Sequence, residues 1–284
     1  MIATIASFFG VIIRFIYDIV NNNYLIALLI FSFITKLILF PLTIMQIKST
    51  NKLQSIAPKD AQIREKYKND KQKQNEELTK LYSENKINPL GGCLPLIIQI
   101  PIILGMFYIV RQPLTYITRT PVEEIKSYTA TYLNKEETEV TENEMKAYEI
   151  QVAESNNLID MNVAFGINLG DIPSNVFSKD ESKKAHPIAL LIPILTIILS
   201  YVQSRVLQKT SNMTEEQKQM QKTNNLMLPI MSGIIAYTMP LALGVYWLFG
   251  NILQIIQQLI ISKITKPKGE VLKLNKGGAI NEKK

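Results

Sequence analysis

Four stretches of the sequence, residues 24–47, 90–110, 187–207 and 225–262, each run for more than 20 residues without an aspartate or glutamate. About 20 apolar residues cross the ~30 Å hydrocarbon core of a bilayer, so runs of this length read as membrane spans. The last run is too long for one crossing and carries Pro240 near its middle, where a missing N–H breaks a helix. It reads as two spans joined by a tight turn over residues 238–242. The expected fold class is therefore all-α, a polytopic membrane helical bundle of five spans with a cytoplasmic helical hairpin. The mean hydropathy of +0.09 conceals this, because the charged residues are gathered between the apolar runs.

Charge orients the spans. Residues 48–89 carry ten basic and six acidic residues, whereas residues 112–186 carry seven basic and thirteen acidic. The 208–224 loop, with Arg205 just before it, has four basic and two acidic, and the tail from Lys263 has seven lysines and two glutamates. Positive charge on short loops marks the cytoplasmic side. The expected order is a first span at 23–47, a cytoplasmic helical hairpin at 48–89 and a second span at 90–111. An extracytoplasmic loop at 112–186, a third span at 187–207 and a cytoplasmic loop at 208–224 follow. Spans four and five fill 225–262, and residues 263–284 form a basic cytoplasmic tail. The amino terminus then lies outside.

Residues 1–22 lack a basic start and a small-x-small cleavage site, and hold no cysteine to take a lipid. Thr4, Ser7, Arg14, Asp18 and Asn21 recur at helical spacing, and Arg14 and Asp18 stand one turn apart. The segment reads as an amphipathic helix in the outer interface, with an uncleaved extra span as the alternative. In the hairpin, residues 57–68 and 71–85 have helical composition around a turn at Lys68-Asn69-Asp70, with Pro58 expected in the first turn of the first arm. The long loop is helix-prone over 122–132 and 141–155, and its glycine-containing part, 164–177, is expected at the membrane surface.

One cysteine, Cys93, and one histidine, His186, leave no internal disulfide and no Cys/His zinc site, so neither a metal nor a cofactor is expected. The conspicuous residue is Lys36, 12 residues after Tyr24 and thus ~18 Å into the first span. A cation at that depth costs at least ~2.5 kcal/mol on insertion scales and usually marks function. None of the five spans contains an acidic partner for it, so water in a hydrated cavity is the expected one. Polar residues form stripes in the same spans: Ser32, Lys36, Thr43 and Gln46; Thr196, Ser200 and Gln203; Trp247, Asn251, Gln254 and Gln258; with Gln99 in the second. Any single stripe reads as helix-to-helix glue. Together, with an unpaired lysine, they read as a shared polar groove bent open by Pro41, Pro95, Pro101 and Pro193.

At these residues the chain resembles the YidC family of membrane protein insertases, in its Gram-positive five-span form. The resemblance is carried by YLIALLIFSFITKLILFPLTIMQIKSTN from residue 24, EKYKND from residue 65 and LYSENKINPLGGCLPLIIQIP from residue 81. Residues 193–203 and LGVYWLFGNILQIIQQ in the last span extend it. The resemblance implies a non-enzymatic insertase with a hydrophilic groove open to the cytoplasm and to lipid, and a hairpin that recruits substrates or partners. It places Lys36, Gln203 and Trp247 in the groove and Tyr246 on a surface along which substrate slides; Gln99 and Asn251 join them as groove amides. Lys36 stands where the family usually has arginine. The implied partners are nascent membrane proteins, the ribosome (through the basic tail and cytoplasmic loops), the Sec translocon and anionic lipids. A secondary transporter or channel for an anionic solute is the alternative, and an inert assembly scaffold a third class.

Overall fold

The computed structural model describes residues 2–86, 94–163, 166–180, 184–207 and 215–264. Residues 88–93 of the NPLGGCLP motif with Cys93, residues 208–214, and the basic tail from residue 265 lie outside the described residues. The fold is almost entirely helical. In order it comprises α1 (Ile2–Ile19), α2 (Tyr24–Ile38), α3 (Phe40–Lys66), α4 (Lys71–Glu84), α5 (Leu94–Arg111), α6 (Val122–Leu133), α7 (Glu142–Ser155), α8 (Leu191–Leu207), α9 (Glu215–Thr238) and α10 (Leu241–Ile264). Two short strands, β1 (Asn162–Val163) and β2 (Ile167–Asn168), form an antiparallel pair with Asn162 opposite Asn168.

Among the described residues, Ile2–Ile19, Pro187–Val206 and Leu241–Ile261 are each long and apolar enough to cross a membrane. Tyr24–Ile38 with Phe40–Leu53 qualifies as one span bent by 53°, and Gln99–Arg111 and Asn225–Thr238 are shorter apolar helices. Large side chains such as Phe33, Leu37, Ile194, Ile198, Ile234 and Ile256 stand exposed along these helices. A water-soluble fold would bury such a surface, whereas lipid accepts it. The chain is an all-α, polytopic, multi-pass membrane protein.

The bundle core joins four helices. Ala6, Ile13 and Tyr17 of α1 pack with Ala27, Leu28 and Phe31 of α2, Met106 and Ile109 of α5, and Ala242, Leu243 and Tyr246 of α10. The α1–α2 connection is made by three asparagines. Asn21 and Asn22 take left-handed φ values of 57° and 60°, a region asparagine tolerates, and the Asn23 side chain accepts from Ile26 N at 2.9 Å to cap α2. On α1, Arg14 pairs with Asp18 at 2.9 Å on the surface, while Gly10 faces inward. A Cβ at Gly10 would lie 2.0 Å from the Tyr116 carbonyl oxygen, so only glycine lets the two backbones approach.

The hairpin of α3 and α4 carries its own small core of Ile56 and Leu81 with Leu53, Ile63 and Tyr82. Asp60, 2% exposed, accepts from Arg64 Nε at 2.6 Å and from the Tyr82 hydroxyl. The Gln74 side chain donates to the Arg64 carbonyl at 2.8 Å, and Asp70 caps α4. One expectation fails here. Pro58 lies inside α3, not at a helix start, because the last half of the bent span and the first hairpin arm are one continuous 27-residue helix.

Besides Asp160 N, which donates to the Tyr17 hydroxyl of α1 at 3.2 Å, two further sets of hydrogen bonds anchor the long loop between α5 and α8. Leu241 N and Ala242 N at the start of α10 donate to the carbonyls of Asp171 (2.7 Å) and Leu169 (2.8 Å). These are N–H groups that a helix start leaves without intrahelical partners. The second set is made by Glu149 of α7, 1% exposed, whose carboxylate accepts from Thr115 N at 2.6 Å and Thr115 Oγ1 at 3.0 Å in the π-helical turn Leu114–Thr118. Burial outweighs those hydrogen bonds and pushes the Glu149 carboxyl up to about 7. Elsewhere in the loop the Lys135 ammonium, with Thr141, holds the Glu144 carboxyl down to about 2 at the start of α7.

Two predictions arise. Gly10→Ala should destabilise the bundle by about 1–3 kcal/mol in detergent thermal melts, although helix propensity alone would favour alanine by ~1 kcal/mol; a raised melting temperature would show that α1 is not seated on Tyr116. For Glu149, a carboxyl whose folded value is raised binds its proton more tightly when docked. Docking of α7 is then strongest below the ordinary value of 4.5 and weakens up to about 7, above which it is flat. The span amounts to about 3 kcal/mol. Hydrogen exchange of α7, corrected for its intrinsic pH dependence, should show this loss of protection, and Glu149→Gln should abolish the pH dependence.

Candidate functional site

The first membrane helix is interrupted just after its cation. Lys36 sits in the last turn of α2, Leu39 lies between α2 and α3, and Pro41 stands in the first turn of α3. Proline has no N–H for the Leu37 carbonyl four residues earlier. Leu39 N still reaches Thr35 O and Thr43 N reaches Leu39 O, both at 3.0 Å. The Lys36 carbonyl, by contrast, accepts from the Gln257 side chain of α10 at 3.0 Å. An amide 221 residues away thus satisfies a backbone oxygen at the break.

The same face of α10 takes the ammonium. Lys36 Nζ donates to Gln254 Oε1 at 3.1 Å, and Lys36 forms no ion pair among the described residues. The aliphatic stem passes Gly250, where a Cβ would sit 3.6 Å from Lys36 Cε. The cation therefore has a neutral partner at its own depth.

The other polar residues divide. Gln99 of α5 lies beside the hydroxyl of Tyr246, which is 5% exposed. Asn251 is turned toward α8: its side-chain NH₂ donates to Ser200 Oγ at 2.9 Å, and Ser200 Oγ stands 3.0 Å from Ser232 Oγ of α9. That is a three-helix seam. Gln203 and Trp247 are half-buried on α8 and α10, and neither is hydrogen-bonded to Lys36. Ser32 and Thr43, expected in the polar stripe of the first span, turn their hydroxyls onto the carbonyls of Leu28 (2.8 Å) and Leu39 (3.2 Å), the usual back-bond of a hydroxyl within a helix. Thr196 Oγ1, Gln257 Oε1 and Gln258 Oε1 are buried and find no hydrogen-bond partner among the described residues. Polar atoms in that state call for water or an incoming group.

Gly250 and Gln257 were not anticipated as site residues. Their signal was in the sequence, since Gly250, Gln254 and Gln257 stand at i, i+4 and i+7 on one helical face. What it lacked was any indication that this face meets Lys36. Chemically the arrangement is a cation, amides and hydroxyls at the joint of a bent helix.

The 60Kd inner membrane protein family model matches residues 15–268. The chain is 28% identical over 270 residues to the membrane protein insertase YidC of Pelodictyon phaeoclathratiforme, covering 91% of this chain and 38% of that protein. It is 28% identical over 274 residues to the YidC of Caldanaerobacter subterraneus subsp. tengcongensis, covering 94% of this chain and 99% of that one. Against the YidC of Oceanobacillus iheyensis it is 29% identical over 250 residues, 86% of this chain and 76% of the relative. The chain therefore spans well under half of the Pelodictyon relative and nearly all of the Caldanaerobacter one. With most of its length inside the match, the chain belongs to the 60Kd inner membrane protein family, that of its YidC-named relatives.

Proposed function

We propose that this chain is a membrane protein insertase, a non-enzymatic chaperone that moves segments of nascent membrane proteins from the cytoplasm into the bilayer. The names of its relatives point to that class. The observation that carries the mechanism is the Lys36 ammonium, whose hydrogen-bond partner among the described residues is a neutral amide. A hydrogen bond from a charged group returns only ~1.5–3 kcal/mol, comparable with the cost of placing the cation there, and leaves its charge uncompensated. An unfolded acidic segment is drawn to that charge. Its apolar stretch then slides along the exposed apolar surfaces of the bundle into lipid. Gln203, Trp247 and Gln99, each half-buried, border this path, and the buried Tyr246 and Asn251 support it from within the bundle.

In this reading the α3–α4 hairpin and the end of α10 are cytoplasmic, the acidic loop is outside, and the polar stripe of α1 faces the outer headgroups. The basic hairpin and tail attract ribosomal RNA and anionic lipid through their lysines, and the chain works alone or beside the Sec translocon in a bacterial plasma membrane.

Lys36→Ala should slow insertion of substrates with acidic translocated segments by about fivefold or more, the equivalent of an interaction of ~1 kcal/mol, while Lys36→Arg keeps it. Pulse-labelled substrate tested for protease protection measures both. Normal insertion by the alanine variant would refute the groove. Photocrosslinkers at Lys36 and Trp247 should capture nascent membrane proteins; capture of a labelled anionic solute in their place would mark a transporter.

A further inference from the structure

One face of α10 meets Lys36 at three heights. The stem passes Gly250, where a Cβ would be in ordinary contact with Lys36 Cε at 3.6 Å, Gln257 Nε2 holds the carbonyl at 3.0 Å, and Gln254 Oε1 takes the ammonium at 3.1 Å. The carbonyl contact fixes where the side chain begins. The third is different in kind, because it occupies the atom that a substrate would use. An ammonium has three donors and Gln254 fills one of them. An amide oxygen is a neutral acceptor, and a carboxylate binds a cation more strongly. The alternatives at this position are worse suited to exchange. A glutamate would form an internal pair that is costly to open, and an apolar residue would leave the cation with no partner in the membrane.

We infer that Gln254 is a resident placeholder for the carboxylate of a translocating segment. Its amide oxygen occupies the Lys36 ammonium at rest, and an aspartate or glutamate side chain of the incoming polypeptide displaces it. Gln254 thereby sets how strongly acidic segments are preferred over neutral ones. The inference rests on the insertase reading above and adds to it the residue that tunes specificity. No bond is made or broken; one hydrogen-bond acceptor replaces another at Nζ, and the amide is released to water or to a backbone N–H of the same segment.

The test uses the full chain in lipid vesicles and a single-span substrate bearing either aspartates or asparagines at the same sites of its translocated segment. The readout is the ratio of acidic to neutral insertion within one preparation, which cancels any loss of folded protein. Gln254→Glu should collapse the ratio to that of Lys36→Ala, because the internal carboxylate fills the place of the incoming one. Gln254→Met, of similar length and without an acceptor, should raise the ratio about threefold, by removing the competitor. If both Gln254 variants move the ratio in the same direction, or neither moves it while Lys36→Ala does, the placeholder is overturned and the insertase reading stands. If Lys36→Ala itself leaves the ratio unchanged, the cationic groove falls, and the placeholder with it.

Discussion

Hydrocarbon offers no hydrogen bonds, so a break in a membrane helix stands only where something else meets the groups it frees. The joint at Leu39 is such a place, and the arrangement of the bundle around it follows from how it is satisfied. Gln257 answers the carbonyl of Lys36 and Gln254 answers its ammonium, which obliges α10 to lie against the end of α2. With α10 so placed, Ala242, Leu243 and Tyr246 close the core shared by α1, α2 and α5. Through Asn251, α10 also receives α8 and α9 by way of Ser200 and Ser232.

The segments outside these helices are less independent than their composition suggests. The long loop supplies Leu169 and Asp171 to cap α10, and Glu149 ties α7 to the turn that follows α5. The hairpin differs, since its core of Ile56 and Leu81 and its Asp60–Arg64–Tyr82 cluster lie wholly within α3 and α4. It is built as an outgrowth of α3.

Much of the fold was legible because lipid enforces coarse rules. Acid-free apolar runs announce membrane helices, and Pro240 marks the gap between Thr238, where α9 stops, and Leu241, where α10 starts. Lys36 was conspicuous from its depth alone. The helix joint beside it was harder to see. Pro41 hinted at it, but a proline in a membrane helix more often only bends it. Pro58 was misread for the opposite reason: the helix that begins in the membrane runs straight through it, and local propensity does not report the neighbours that hold it. Hydroxyl stripes were legible only as positions. Periodicity shows which face Ser32 and Thr43 occupy, and it is silent on whether the hydroxyl reaches outward or folds back on its own helix. Pairings such as Lys36 with Gln254, or Asn251 with Ser200, depend on which helices become neighbours, and a single sequence carries no record of that.

The two ends of α10 have unequal mechanical footing. At its first turn the helix is held by two backbone hydrogen bonds from the long loop, and midway it is stitched to α8 and α9. Against the end of α2, beside the apolar core the two helices share, it holds two side-chain amide contacts, both on Lys36. Side-chain contacts between long, flexible residues are exchanged more easily than a backbone cap or a close-packed seam. α10 is thus tied by backbone bonds at its first turn and by a seam at its middle, while exchangeable side-chain bonds join it to the hinge of α2 and α3. Since α3 continues unbroken into the hairpin, a push on the hairpin turn acts on that hinge through a lever about 40 Å long.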